Sequence, residues 1–138
     1  MKEPATIMKK EELLKRLETI KKLEDNWDNY GADPINETVI KNTKILIDNL
    51  RILPDFIAPL GWGAIQLEWE RKNLNESIND IYIEIEVCLP EYKGSKLSDS
   101  LSVFIMITDK ESLTHEINKV IPFESYNLLN DVIEFFLK

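Results

Sequence analysis

Ile81-Tyr82-Ile83-Glu84-Ile85-Glu86-Val87-Cys88 alternates side-chain character residue by residue along its whole length. A period of two places Ile81, Ile83, Ile85 and Val87 on one side of a pleated strand and Tyr82, Glu84, Glu86 and Cys88 on the other. Upstream, Ile65-Gln66-Leu67-Glu68-Trp69-Glu70 repeats the pattern, so two half-buried strands with apolar residues in and acids out are joined by Arg71 to Asp80. Downstream, Leu101 to Thr108 is apolar on both sides, with Leu101, Val103, Ile105 and Ile107 on one and Phe104 and Met106 on the other. A strand of that kind belongs in the interior of a sheet. Asp109-Lys110-Glu111-Ser112 then turns the chain into a weaker fourth strand, Leu113 to Lys119, where Leu113 and Ile117 share a side with His115.

Helical periodicity brackets this run. Leu13, Leu17, Ile20 and Leu23 recur at steps of three and four, predicting a helix over about residues 9–24. A second helix is predicted to start at the capping residue Asn36, to bury Val39, Thr43, Leu46, Leu50 and Leu53, and to stop at Pro54. After Pro122-Phe123-Glu124-Ser125, the stripe Leu129, Val132, Ile133 and Phe136 predicts a closing helix. Two helices, a run of strands and a last helix are segregated rather than alternating. That order selects one α+β domain over residues 1–138, with an antiparallel meander of three to four strands.

Composition narrows the partners. The chain of 138 residues carries a formal net charge of −8, concentrated in residues 61–138, where seven Lys and Arg face fourteen Asp and Glu. Binding to nucleic acid needs clustered cations against phosphates, and the basic clusters here are pairs such as Lys9-Lys10, Lys21-Lys22 and Arg71-Lys72. The expectation is therefore no nucleic acid and, if the acidity has a partner, a basic protein surface. The opening residues hold no secretory signal and no apolar run approaches the roughly 18 residues of a membrane span, so a cytoplasmic protein without membrane contact is expected. One cysteine, Cys88, and one histidine, His115, make neither a disulfide nor a zinc ligand set, so no metal and no cofactor is expected.

Between the first two helices, Asn26-Trp27-Asp28-Asn29-Tyr30-Gly31-Ala32 packs two large aromatics into a turn rich in Asn, Asp and Gly. Read structurally, Trp27 extends the first helical stripe into the core, Asp28 and Asn29 bond backbone amides, and Gly31 takes a positive φ. Read functionally, Trp27, Asp28 and Tyr30 line a recognition surface. The stretch Leu23 to Ile35, together with Ile65-Gln66-Leu67-Glu68-Trp69 and Ile83-Glu84-Ile85, resembles a group of small uncharacterised bacterial proteins that share an NWDGYGA-type loop and a Leu-Glu-Trp strand. The resemblance spans about residues 13–87 and implies a fold rather than an activity. Asn29 stands where that motif has Gly, and Asn tolerates the left-handed region that such a turn requires.

The second candidate is the acidic side of the strands, where Glu68 and Glu70 would meet Glu84 and Glu86 if the strands pair antiparallel. Paired carboxylates can serve as general acid and base or hold a divalent cation. No G-x-S-x-G, H-E-x-x-H, phosphate-cradling glycine loop or Cys/His pair accompanies them. The blander reading is a solvated strand face with Arg71, Lys72, Lys93 or Lys96 relieving the repulsion. Phe104 and Met106 fall on the same side and need a cover, either the terminal helix or the Pro54–Leu60 segment, or else a homodimer or partner interface. The function expected is a non-catalytic accessory or neutralising interaction module that presents an acidic sheet face and the Trp27/Tyr30 loop to a protein partner. The alternatives are a carboxylate-based acid/base or metal-dependent hydrolase using Glu68, Glu84 or Glu86, and a polyanion mimic.

Overall fold

The computed structural model describes residues 4–88 and 99–137, with side chains from residue 9 onward. Helix α1 spans Pro4–Lys21 and α2 spans Glu37–Asn49. The strands are β1 Phe56–Pro59, β2 Ile65–Lys72, β3 Ile78–Val87, β4 Ser100–Asp109 and β5 Thr114–Pro122. A single 3-10 turn at Phe123–Ser125 leads into α3, Tyr126–Leu137. The α+β order expected from the sequence is present, but the sheet has five antiparallel strands in the order β1-β2-β3-β4-β5 rather than three to four.

The added strand is β1. Four residues holding Phe56-Ile57-Ala58-Pro59 show too little alternation to read as a strand, yet Ile57 pairs with Leu67 and is fully buried. It lies at the edge of the sheet, where a proline is tolerated. Its outer rim is closed by α1: the Arg16 guanidinium donates to the Ile57 carbonyl at 2.6 Å and lies 4.6 Å from the Phe56 ring centroid.

The helices also depart from their predicted ends. α1 stops at Lys21 because Lys22 N–H and Leu23 N–H bond the carbonyls of Thr19 and Ile20, three residues back, tightening the last turn out of the α-helix. α2 is capped by Asn36, whose side chain accepts from Thr38 N–H, as the sequence indicates. It ends at Asn49, before Pro54, since Leu50 adopts an extended conformation with ψ 130°. Leu50 and Leu53 still reach the core from the following segment.

One layer of helix covers one face of the sheet. α1 packs on β1 and α2 on β2 and β3. α3 sets Leu129, Val132 and Phe136 against Val103, Ile105 and Ile121 of β4 and β5. Trp69, Ile83, Ile85, Leu101, Leu46 and Leu129 are among the fully buried members of this core. Side-chain hydrogen bonds tie the elements together: Asn42 Nδ2 of α2 donates to Asp99 Oδ2 just before β4 at 2.8 Å, and Asn130 of α3 accepts from Arg51 N–H and donates to Asn49 O at the end of α2. No described helix is long and apolar enough to cross a membrane.

Candidate functional site

Because α1, α2 and α3 all take the same side, the opposite face of the sheet has no described element packed over it. This corrects the expectation that α3 or Pro54–Leu60 covers Phe104 and Met106. α3 is drawn to the apolar row of β4 and β5, and Pro54–Leu60 becomes an edge strand within the sheet. Phe104 and Met106 remain half-buried on the open face, beside Glu84 and Tyr82 in register. Ring centroids of Tyr82 and Phe104 lie 6.4 Å apart, edge to face.

Register places Glu68 directly opposite Glu84 and Gln66 opposite Glu86. Two carboxylates facing each other across strands repel, and the structure answers with a shared donor rather than a cation. Tyr82 O–H lies 3.1 Å from Glu68 Oε1 and 3.3 Å from Glu84 Oε2, and Gln66 Nε2 donates to the same Glu68 oxygen. Of the lysines and arginine expected to relieve the row, Arg71 turns to Asp55 at 2.8 Å while Lys72 stays beside Glu70 at 3.7 Å. Lys93 and Lys96 lie outside the described residues.

Electrostatics follow from this arrangement. Burial, and then the hydrogen bonds and charges of Glu68 and Glu84, push the Tyr82 phenol far up, so it stays a donor. Burial also raises the Glu84 carboxyl above its ordinary value, against the pull of the Tyr82 hydroxyl and with added repulsion from Glu68 and Glu86. A carboxyl that holds its proton more tightly when folded opposes folding once ionised. The cost is absent well below the ordinary carboxylate pKa and grows as pH rises through the raised value. Glu84→Gln is therefore expected to raise the melting temperature at about pH 7 and leave it unchanged at about pH 3, since Gln keeps an acceptor for Tyr82 without the charge. Thermal denaturation at the two pH values checks this, and equal shifts at both would refute it.

At one end of the face a third aromatic enters that the sequence reading did not single out. Trp62, in the β1–β2 turn, is 57% exposed and donates its indole N–H to Glu86 Oε1 at 2.6 Å. Its signal is Gly61-Trp62-Gly63, where Gly63 takes φ 88° and lets the turn close through Leu60 N–H to Ala64 O. Cys88 closes the same row, its sulfur 3.5 Å from Glu86 Oε2 and its thiol pKa pushed up by burial.

The Trp27 loop leans on this turn, with Asp33 N–H bonded to Gly61 O and Asn36 N–H to Gly63 O. Trp27 does not plug the core: α1 has already ended, and its half-buried indole donates to Asp33 O at 2.8 Å, stapling the loop to itself. Asp28 accepts from the amides of Tyr30 and Ala32, as expected, whereas the other amide acceptor is Asn26, bonded to Gly31 N–H, rather than Asn29. Asn29 and Gly31 both hold the left-handed backbone anticipated for them, at φ 65° and 84°. Tyr30 is left 92% exposed. The structure thus brings together Glu68, Glu84, Glu86, Phe104 and Met106 on the face, while Trp27 and Asp28 build the loop that carries Tyr30.

Chemically, the open face can accept hydrogen bonds from cationic donors and offers phenyl and thioether surface beside them. Its carboxylates are outside the cavities at Lys9–Ile57, between α1 and α2, and between α3 and β5. Among the described residues, no three His, Cys, Asp or Glu side chains are placed to hold a metal ion. Comparison of the chain with protein-family models, curated proteins and solved structures finds no match.

Proposed function

We propose that the chain is a non-catalytic interaction module that docks a basic, partly apolar protein surface on the open face of its sheet. The observation that supports this reading is the face over which no described element packs, on which Glu68, Glu84 and Glu86 alternate with Tyr82, Phe104 and Met106. Carboxylates complement arginine or lysine, and the interleaved aromatic and thioether groups give the apolar contact that a charged rim alone lacks. Trp62, whose indole N–H donates to Glu86, extends the surface at one end. The net charge of −8 favours the same sign of partner at a distance. A hydrolytic reading needs two carboxylates converging in a concave pocket, whereas Glu68 and Glu84 share their proton donor on an open sheet.

Titration of the labelled protein with an amidated peptide of alternating arginine and leucine tests the reading by NMR. Amide shifts are expected along Glu68, Tyr82, Glu84, Phe104 and Met106. The double variant Glu84→Lys/Glu86→Lys is expected to weaken binding about tenfold at low salt, while Glu18→Lys/Glu37→Lys on the helical side leaves it within about twofold. Equal losses from the two double variants, or shifts confined to α1 and α2, would overturn it.

A further inference from the structure

We propose that β5 pairs antiparallel with β5 of a second copy of this chain, centred on Ile117, joining two five-stranded sheets into one of ten strands.

Hydrogen bonding along β4–β5 leads to this. Asp109 N–H bonds Leu113 O at one end of the pair and Phe123 N–H bonds Asp99 O at the other, with no register shift between. In an antiparallel ladder bonded and non-bonded pairs alternate, so the odd-numbered residues of β5 face β4. Thr114, Glu116, Asn118 and Val120 consequently turn their N–H and C=O groups outward, and Pro122, which lacks an N–H, ends the row. Edge strands are usually blunted by shortness, bulges or coverage. β5 has nine residues, no bulge toward β4 and exposed side chains at nearly every position.

The outward set is self-complementary. Two copies antiparallel about Ile117 match Thr114 with Val120 and Glu116 with Asn118, so all four outward N–H groups find carbonyls and Pro122 falls outside the ladder. On the helical side Ile117 meets Ile117, and Leu113 meets Ile121. Ile117 and Leu128 are 41% and 55% exposed at the mouth of a groove of about 280 Å³ between β5 and α3, and the second copy's Leu113 and Ile117 would enter it.

Charge selects a second copy over another strand. In a chain of net −8, β5 carries one acid, Glu116, and one base, Lys119, so two copies meet along a neutral strip. The same register sets Lys119 opposite His115, whose ring is held 2.9 Å from the Asp109 carboxylate. Each ammonium therefore lands beside a carboxylate–imidazole pair of the other copy. This interface uses the sheet edge and is independent of the docking face proposed above.

Sedimentation equilibrium of the full chain is expected to give twice 16.1 kDa at about 100 µM. Asn118→Pro removes an outward N–H and no bond to β4. It should weaken the dimer about a hundredfold with the melting transition of the monomer retained. In a Cys88→Ser background, Ile117→Cys should oxidise to a covalent dimer, because a non-bonded antiparallel pair sets its Cα atoms about 4.5 Å apart, within disulfide range. Leu113→Cys, opposite Ile121, should not. A monomer at that concentration, a dimer indifferent to Asn118→Pro, or equal cross-linking at positions 113 and 117 would overturn the proposal.

Discussion

Trp69→Ala is expected to lower the stability of the fold by about 4–5 kcal/mol, and with it the melting temperature by roughly 10–20 °C. Trp69 is fully buried in the middle of β2 and is the largest side chain of the core. It is paired with Ile83 across the sheet and lies beneath the helical layer. Its removal leaves a void that surrounding Ile and Leu side chains on a rigid ladder fill only in part. A second cost is polar: the Trp69 indole N–H donates to Ile52 O at 3.1 Å, and that carbonyl loses its donor. Trp69→Phe keeps most of the ring volume and forfeits the hydrogen bond, so about 2 kcal/mol is expected. Urea titration of both variants separates the two contributions. A loss for Trp69→Ala no greater than for Trp69→Phe would show that packing around the ring is not what holds β2 against the helices.

Asn130→Ala carries the next largest expected effect, about 2–4 kcal/mol, although it deletes only a short polar side chain. Asn130 is 4% exposed, accepts from Arg51 N–H at 2.9 Å and donates to Asn49 O at 3.0 Å. It thereby satisfies two backbone groups where α2 has ended, groups that the helix itself leaves without partners. Arg51 adds ion pairs to Asp131 and Glu134 on α3. Those pairs are more exposed and contribute less. Alanine would leave both a backbone N–H and a backbone C=O without their side-chain partner at this part-buried contact, and the weakness would be local to the α2–α3 junction. Hydrogen exchange should show α3 losing protection ahead of β2 and β3. Uniform loss across the sheet would place the role of Asn130 elsewhere.

Side-chain period made the central strands legible. Ile65 to Glu70, Ile81 to Cys88 and Leu101 to Thr108 each write their two faces into alternate positions, and the structure pairs them in that phase. β1 carried no such mark, because four residues ending in proline cannot display a period and owe their place to Leu67 and Glu68 across the ladder. Helix ends were set by backbone events, a tightened turn at Thr19–Leu23 and an extended Leu50, that apolar spacing does not encode. On the candidate face the acids were readable in advance and the hydrogen bonds that join them were not. Tyr82 lies within two residues of Glu84 but fourteen from Glu68, so a phenol shared by both appears only once β2 and β3 are in register. Trp62 reaches Glu86 from a turn twenty-four residues away, for the same reason.

The guanidinium that sits on the Ile57 carbonyl has a meaning for growth as well as for local bonding. A ribbon with two receptive margins can recruit chain after chain into a fibre. Here one margin has its outward Ile57 carbonyl taken by a side chain from α1, so under the β5 pairing proposed above recruitment through backbone ladders would end after a single addition.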